Sequence, residues 1–372
     1  MEFSIQSVKK VMRNESLLII AAVLALISFF FSSGDVNYSE HINVEVIILL
    51  FCLMACVAGL NETGAFQTLF SKLTSKTVSV RNLSLILIFV CFFSSMVITN
   101  DVALITFVPL TMLLLNCISS KRVVFLIVME TAAANLGSMV TPMGNPHNIF
   151  LYSYYGMSLE AFISAILPFA ILGFIMILAA VFMLKDYKID ISTMYADSHP
   201  DKIKMVKYLI LFAIAVLAVV NVINYLVCLL IVLIVLLFTD RSAFKKIDYS
   251  LLLTFLFFFI FSANIGSVDQ INQYIVQTIE GREVATSIIL SQAISNVPTA
   301  VMLAPFTNNG IGLLIGTNLG GLGTPIASLA SLISYRLYTA QRNDEKIDYL
   351  KTFFIVNVSF LVILIIFAAI IL

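Results

Sequence analysis

Three acidic residues and four short polar phrases interrupt a chain that is otherwise apolar, and these are the residues with chemistry to offer. Glu62, Asp101 and Glu130 lie within or at the edge of apolar segments. A carboxylate inside a bilayer is costly and is functional by default, as a carrier of a proton or a cation. Around the acids runs a repeated pattern. Asn135-Leu136-Gly137 leads to Thr141-Pro142, and Asn318-Leu319-Gly320 leads to Thr324-Pro325 with the same internal spacing, 183 positions later. Each copy is preceded by a second phrase, Thr99-Asn100 with Pro109 and Ser295-Asn296 with Pro305, 196 positions apart. Gly137, Gly144, Gly320, Gly321 and Gly323 permit unwound backbone, and the two Thr-Pro pairs stop a first half-helix from continuing.

In lipid, backbone leaves the helix only where it is buried in protein or lines a watery cavity. Matched interruptions in two halves point to the binding site of a secondary transporter. The freed N–H and C=O groups at such tips can dehydrate a small ion, and helix N-termini beginning there favour an anion. The expected substrate ligands are Thr99, Asn100, Asn145, Ser295, Asn296, Thr299, Thr324 and Ser328. The counterpart of Asp101 in the second half is Val297, so the first half reads as the cation-coupling side. Its expected members are Thr99, Asn100, Asp101, Glu130, Gly137, Thr141 and Gly144, with sodium at Asn100, Asp101 and Asn145. No Lys or Arg is expected near the midplane or near Asp101, so an anion relies on helix dipoles, amide donors and a co-bound cation. Glu62 reads as reaching interfacial water, and His147 as a hydrogen-bonding or packing residue rather than a proton relay. Cys52 and Cys56 share a helix face that could take a soft metalloid. All five cysteines nevertheless lie in apolar runs and read as small buried hydrophobes.

The elements that must position these residues follow from composition. Apolar residues make up 60% of 372 and charged residues 11%, with a mean hydropathy of +1.05. A soluble domain carries about 25% charged residues, so this chain belongs in a bilayer. Zero net charge argues against a nucleic-acid partner. Runs long enough to span are Leu17–Phe31, Val44–Leu60, Leu159–Leu184, Leu251–Ile265 and Phe353–Leu372. The first, after Lys9, Lys10 and Arg13, reads as an uncleaved helix rather than a signal peptide. Two spans are broken, 123–155 at Gly137–Asn145 and 311–338 at Gly320–Ser328. Tyr208–Phe238 is flanked on both sides by lysines and arginines, so the positive-inside rule makes it cross twice, turning outside near Asn221–Asn224. Hairpins 83–117 and 284–307 dip in without crossing, the first from the cytoplasm and the second from outside. Thr63–Thr77 and Gly266–Glu280 are amphipathic and read as interfacial.

The expected fold is therefore an all-α polytopic membrane protein of about nine crossings. It is an inverted repeat with two re-entrant hairpins and two broken transmembrane helices. The first repeat covers 1–184, a cytoplasmic linker 185–207 and the second repeat 208–372. The N-terminus is then cytoplasmic and the C-terminus outside, and 20 of the 21 Lys+Arg fall on the cytoplasmic side.

These motifs resemble those of the ion transporter superfamily. The nearer likeness is to ArsB/NhaD-type permeases, the more distant to divalent-anion–sodium symporters and citrate transporters. The residues that carry it are Thr99-Asn100-Asp101-Val102-Ala103-Leu104 and Thr141-Pro142-Met143-Gly144-Asn145-Pro146-His147-Asn148. The second half adds Ser295-Asn296-Val297-Pro298-Thr299 and Gly323-Thr324-Pro325-Ile326-Ala327-Ser328-Leu329-Ala330, and Glu62-Thr63-Gly64 matches an early phrase. The resemblance runs over residues 42–372. It implies a scaffold and a moving domain, often dimeric, with an elevator-like shift, and sodium or protons held at the hairpin tips and helix breaks. The acid at position 101 departs from the Ser-Asn-Thr tip of the symporter branch and weakens a two-sodium dicarboxylate reading. The expected function is ion-coupled secondary transport of a small anion, whether a carboxylate, an inorganic oxyanion or a metalloid oxyacid such as arsenite. The alternative is a sodium/proton antiporter. An intramembrane enzyme is remote, because no nucleophile–base set or second aspartate is in place. Expected partners are the lipid bilayer of a bacterial cell membrane, a small-molecule or ion substrate and a second copy of the chain. No cofactor is expected beyond the coupling ion, sodium or proton.

Overall fold

The computed structural model describes residues 15–32, 36–64, 77–115, 119–190 and 201–372. Helix dominates, as lipid requires when every backbone group must find an internal partner. The first half contains α1 (Ser16–Phe29), α2 (Val44–Glu62), α3 (Val80–Ile98), α4 (Asn100–Leu114), α5 (Ser120–Ser138), α6 (Pro146–Tyr154) and α7 (Leu159–Phe182). The second contains α8 (Lys202–Val219), α9 (Tyr225–Thr239), α10 (Tyr249–Gly266), α11 (Asp269–Ile279), α12 (Glu283–Ile294), α13 (Asn296–Leu303), α14 (Gly310–Gly320), α15 (Leu329–Gln341) and α16 (Lys346–Ile371). Among the described residues, α2, α3, α7, α10 and α16 are long and apolar enough to cross a membrane. The outward faces of α7 and α16 carry Ile171, Ile175, Ile355 and Ile366, all more than half exposed. Contiguous apolar surface on that scale marks a lipid-facing wall.

The ambiguous run Tyr208–Phe238 resolves into two helices, α8 and α9. Asn221 turns the chain at φ 61, a conformation that asparagine tolerates, and the Asn224 side chain accepts from Leu226 N at 2.8 Å to start the second helix. The helix breaks fall where Gly and Pro put them. α16 begins at Lys346 rather than Phe353, because its first turns carry Lys346, Asp348 and Lys351 and hydropathy marks only the apolar part of a helix. The amphipathic stretch 266–280 contains α11. Most of the segment Thr63–Thr77, residues 191–200 of the linker, and Lys9, Lys10, Arg13, Lys72, Lys76 and Cys117 lie outside the described residues.

One element was not expected. Strands β1 (Thr77–Ser79) and β2 (Lys188–Asp190) pair antiparallel, with Thr77 opposite Asp190 and Ser79 opposite Lys188. Arg81 extends the tie, its backbone N–H donating to Asp186 Oδ1 at 3.1 Å and its guanidinium to Leu184 O at 2.8 Å. The end of α7 is thereby fastened to the start of α3, and the end of the supposed linker (202–207) is the first part of α8.

Packing does not follow the order of the chain. α1 lies along α10, and α2 packs on α8 and α9, so helices from the two halves form one group. In the other group α3 packs on α5, α12 on α14, and α7 and α16 flank α5. This second group holds the two hairpins and the two interrupted helices, and it meets the first where α10 packs on α13 and α2 on α4 and α6.

Candidate functional site

Each hairpin turns on one residue with the same unusual backbone. Thr99 has φ 70 and ψ 150, and Ser295 has φ 75 and ψ 154. Among the described residues, Thr99, Asn221 and Ser295 are the non-glycine residues at positive φ. A β-branched residue there is strained, and such strain gathers at binding sites. α4 and α13 start directly after these turns, at Asn100 and Asn296.

The helix breaks are also built alike. α5 ends at Ser138; a 3-10 turn, Pro142–Gly144, then leads to Asn145 at φ −147, ψ 140, from which α6 begins. α14 ends at Gly320, and α15 begins after Ser328 at φ −139, ψ 137. The same stitches join break to hairpin in both halves. Thr141 donates its hydroxyl to Met96 O, and Thr324 donates its own to Gln292 O at 3.1 Å. Gly137 lies so close to α3 that a Cβ would collide with the Phe92 carbonyl, and a Cβ on Gly320 would stand 2.7 Å from Ser291 Oγ of α12. Gly144 is likewise pressed on the Ser138 carbonyl. Several residues expected as ion or substrate ligands therefore serve here as stitches: Gly137, Thr141, Gly144 and Thr324. Thr299 joins them, its hydroxyl donating to Ser295 O at 2.9 Å.

Between the halves the contacts are reciprocal. Asn135 Nδ2 donates to Ser331 Oγ at 3.3 Å, and Asn318 Nδ2 donates to Asn148 Oδ1 at 2.7 Å. Asn135 and Asn318 are repeat-mates, and Asn148 and Ser331 share the same 183-residue offset. Asn135 Oδ1 also accepts from Asn100 Nδ2 and from Ser328 Oγ, each at 3.0 Å. Asn100 and Ser328 thus meet through one amide. On the other side Asn296 N–H donates to Ala327 O at 2.9 Å, next to Ser328, and Ser295 Oγ donates to the same carbonyl at 3.4 Å. Asn145 is held elsewhere, with Oδ1 2.8 Å from His147 Nδ1. Hydrogen bonding gathers Asn100 with Asp101, whose N–H donates to Asn100 Oδ1 at 3.0 Å, but does not bring Asn145 to them. The amides Asn135, Asn148 and Asn318 and the hydroxyl of Ser331 were missing from the expected ligands. The signal was there, since Asn135 and Asn318 open the repeated phrase and a buried amide in an apolar helix must find a partner.

The four helices that start at these interruptions differ from most others. Side chains of Asn43, Ser79, Ser158, Asp201, Asn224, Asp248 and Asn309 cap α2, α3, α7, α8, α9, α10 and α14. α4, α6, α13 and α15 have no side-chain cap, and neither do α1, α5, α11, α12 and α16. At the starts of α4 and α13 the Asp101 and Asn296 N–H groups are engaged by Asn100 Oδ1 and Ala327 O, and the dipoles of the four helices that start at the interruptions favour negative charge at their N-termini.

Two cavities reach the tips. Asp101, whose carboxylate has no hydrogen-bond partner among the described residues, lines a cavity of about 160 Å³ with Thr99, Pro146, Leu329, Lys246 and Asp248. A second, of about 510 Å³, runs from Ser295 to Glu15 and Arg336 and shares Asp248, Leu251, Leu329 and Ile333 with the first. The expectation that no basic side chain lies near Asp101 is therefore corrected. Lys246 comes from a distant segment of the chain and lines the same cavity. The ammonium pairs with Glu62, which accordingly has a protein partner rather than interfacial water alone. Glu130 is fully buried; Oε1 accepts from Thr111, and Oε2 has no partner among the described residues. Cys52 and Cys56 are buried on α2, and Cys228 of α9 is in contact with Cys52. Among the described residues, no group of three or more His, Cys, Asp and Glu could hold a metal.

Apolar helices, two of them interrupted around buried amides and cavities, define an integral membrane transporter. The chain belongs to the citrate transporter family, whose model matches residues 8–310, a stretch that takes in both hairpins and the first break. It is 32% identical to an uncharacterized transporter of Methanocaldococcus jannaschii over 79% of this chain and 80% of that one. It is 28% identical to the inner membrane protein YbiR of Escherichia coli, covering 86% of each. A silicon efflux transporter of Oryza sativa matches at 28% identity over 42% of this chain and 31% of its own. All fall in the superfamily that the motifs suggested. The protein is a transporter and not an enzyme, and its substrate is an ion or a small molecule.

Proposed function

We infer that the protein is an ion-coupled secondary active transporter of a small anion or oxyacid, built as two inverted repeats and working by an elevator-like shift of a moving domain against a scaffold. The observation that carries this reading is the set of four uncapped helix N-termini around reciprocally bonded amides. Reciprocal bonds are what two-fold-related copies make, and the charge positions, with 20 of 21 Lys+Arg on one side, favour a two-fold axis in the membrane plane. Four positive dipole ends favour a carboxylate or an inorganic oxyacid. The family's description and the relative named for silicon efflux point the same way. Thr99, Asn100, Ser295, Asn296 and Ser328, with Asn145 behind them, contact the substrate. Asp101 holds the coupling ion, sodium or a proton, with Asn100 beside it.

In this scheme α1, α2 and α8–α10 form a fixed scaffold, in a homodimer, and the hairpins with the broken helices move. Asp101 shares its cavity with Lys246 and Asp248, at the end of α10 that the charge rule puts in the cytoplasm, as expected of an inward position. The N-terminus is cytoplasmic and the C-terminus outside, in a bacterial cell membrane. Proteoliposomes loaded with citrate, arsenite or silicic acid, with and without sodium and pH gradients, test the proposal. One solute should accumulate only when a gradient is imposed, and gradient-independent equilibration of all of them would reject it. The second reading, a sodium/proton antiporter, draws on the carboxylates around Asp101. It would show as sodium-driven proton movement with no solute present.

A further inference from the structure

Lys246 stands at the wall of the Asp101 cavity and Glu62 pairs with it from outside the lining, and the coupling scheme leaves both without a role. Lys246 ends the short turn before α10, and its ammonium pairs with Glu62 at the end of α2. The same lysine lines the cavity of about 160 Å³ together with Asp101 and Asp248. The other charged groups nearby are Asp248 in the same cavity wall and Glu15 and Arg336 in the adjoining cavity. Asp248 Oδ1 accepts from Leu251 N at 3.0 Å, Glu15 accepts from the Ser250 hydroxyl, and Arg336 lines only the adjoining cavity.

The Lys246–Glu62 side chains are 37% and 39% exposed, and an ion pair that wet is held loosely. A lysine is a compact charge on a flexible stem and changes partners readily. Asp101 has the opposite problem. Its cavity is walled by Leu53, Val57 and Ile105, so the bare carboxylate left after an ion departs lacks a counter-charge.

We propose that Lys246 is a built-in competitor for the coupling ion, moving from Glu62 to Asp101 when Asp101 gives up its proton or sodium and returning to Glu62 when the ion rebinds. The proposal rests on the reading of Asp101 as the coupling carboxylate. Glu62 is then a parking site that keeps the lysine from blocking ion entry. The signs are fixed by electrostatics. A cation beside Asp101 favours its carboxylate and lowers its affinity for a proton. Removing Lys246 raises that affinity, and removing Glu62 frees the lysine and lowers it.

The test is a pH titration of the protonated-carboxyl infrared band of the full-length protein in lipid nanodiscs, with the Asp101 band assigned as the one lost in Asp101→Asn. Lys246→Gln should raise its midpoint by about one pH unit and Glu62→Gln should lower it by about as much, the scale of one neighbouring charge. The double variant separates this from a direct effect of Glu62: it should titrate like Lys246→Gln alone, because Glu62 acts through the lysine. An unshifted midpoint in Lys246→Gln, or a double variant that falls well below Lys246→Gln, overturns the inference while leaving the coupling role of Asp101 intact. If no titrating band is lost in Asp101→Asn, the coupling reading fails and the inference with it.

Discussion

Asn135 ties α5 to two other elements with one amide: the first hairpin tip through Asn100, and the start of α15 through Ser328 and Ser331. Asn135→Ala would leave Asn100 and the two serines short of a buried partner, at about 1–3 kcal/mol for each unsatisfied group. Transport should be lost and the detergent melting temperature should fall, and Asn148→Ala, which removes the cross-half bond with Asn318 and two bonds to the Ser138 and Thr141 carbonyls, should lower it as well. Asp101→Asn keeps the shape and removes the charge. It should abolish dependence on the driving gradient in proteoliposomes while leaving some downhill exchange. The amides were legible in the sequence because the phrase that opens with Asn135 recurs with Asn318. Lys246 was not, since nothing in local spacing shows that the segment before α10 meets the tip of the first hairpin. Nor was the role of the Thr141 and Thr324 hydroxyls, whose partners are main-chain carbonyls of residues with no pattern of their own, Met96 and Gln292.

The interrupted elements depend on close backbone approach, and the two halves should not tolerate its loss equally. A methyl group on Gly137 would collide with the main-chain carbonyl oxygen of Phe92, which cannot step aside, whereas one on Gly320 meets Ser291 less tightly, at 2.7 Å from an Oγ that can rotate and 2.8 Å from a Cβ that cannot. Gly137→Ala should therefore destabilise by about 1–3 kcal/mol, the usual range for overpacking, and Gly320→Ala by clearly less, as read from thermal melts of the two purified variants. The boundaries of these elements could be read in advance because Gly, Pro and the Thr-Pro pairs fix where a helix cannot go on. The β1–β2 ribbon could not, because three-residue strands formed by remote segments leave no periodicity behind. The start of α16 at Lys346 was hidden for a different reason: hydropathy locates the apolar span of a helix and is silent about polar turns that extend beyond it.

At the scale of the molecule, the pairing of α1 with α10 and of α2 with α8 and α9 means that neither half of the chain owns its surroundings. A chain cut within residues 191–200 should give fragments that are unstable when expressed singly and recover solute uptake only when expressed together. The topology is open to a direct check at Val222, which is 69% exposed in the α8–α9 turn. In intact cells, Val222→Cys should react with an impermeant maleimide added outside, and labelling only from the cytoplasm would refute both the nine-crossing arrangement and the inversion. The reciprocal bonds Asn135–Ser331 and Asn318–Asn148 carry one more consequence. A clasp with the same donor amide on each side gives the cycle no preferred direction through those amides, and within it only the acceptors differ, Ser331 on one side and Asn148 on the other. Any bias must enter where the copies have ceased to match, and two such places lie beside the clasp: Asp101 against Val297, and the buried His147 against Ala330.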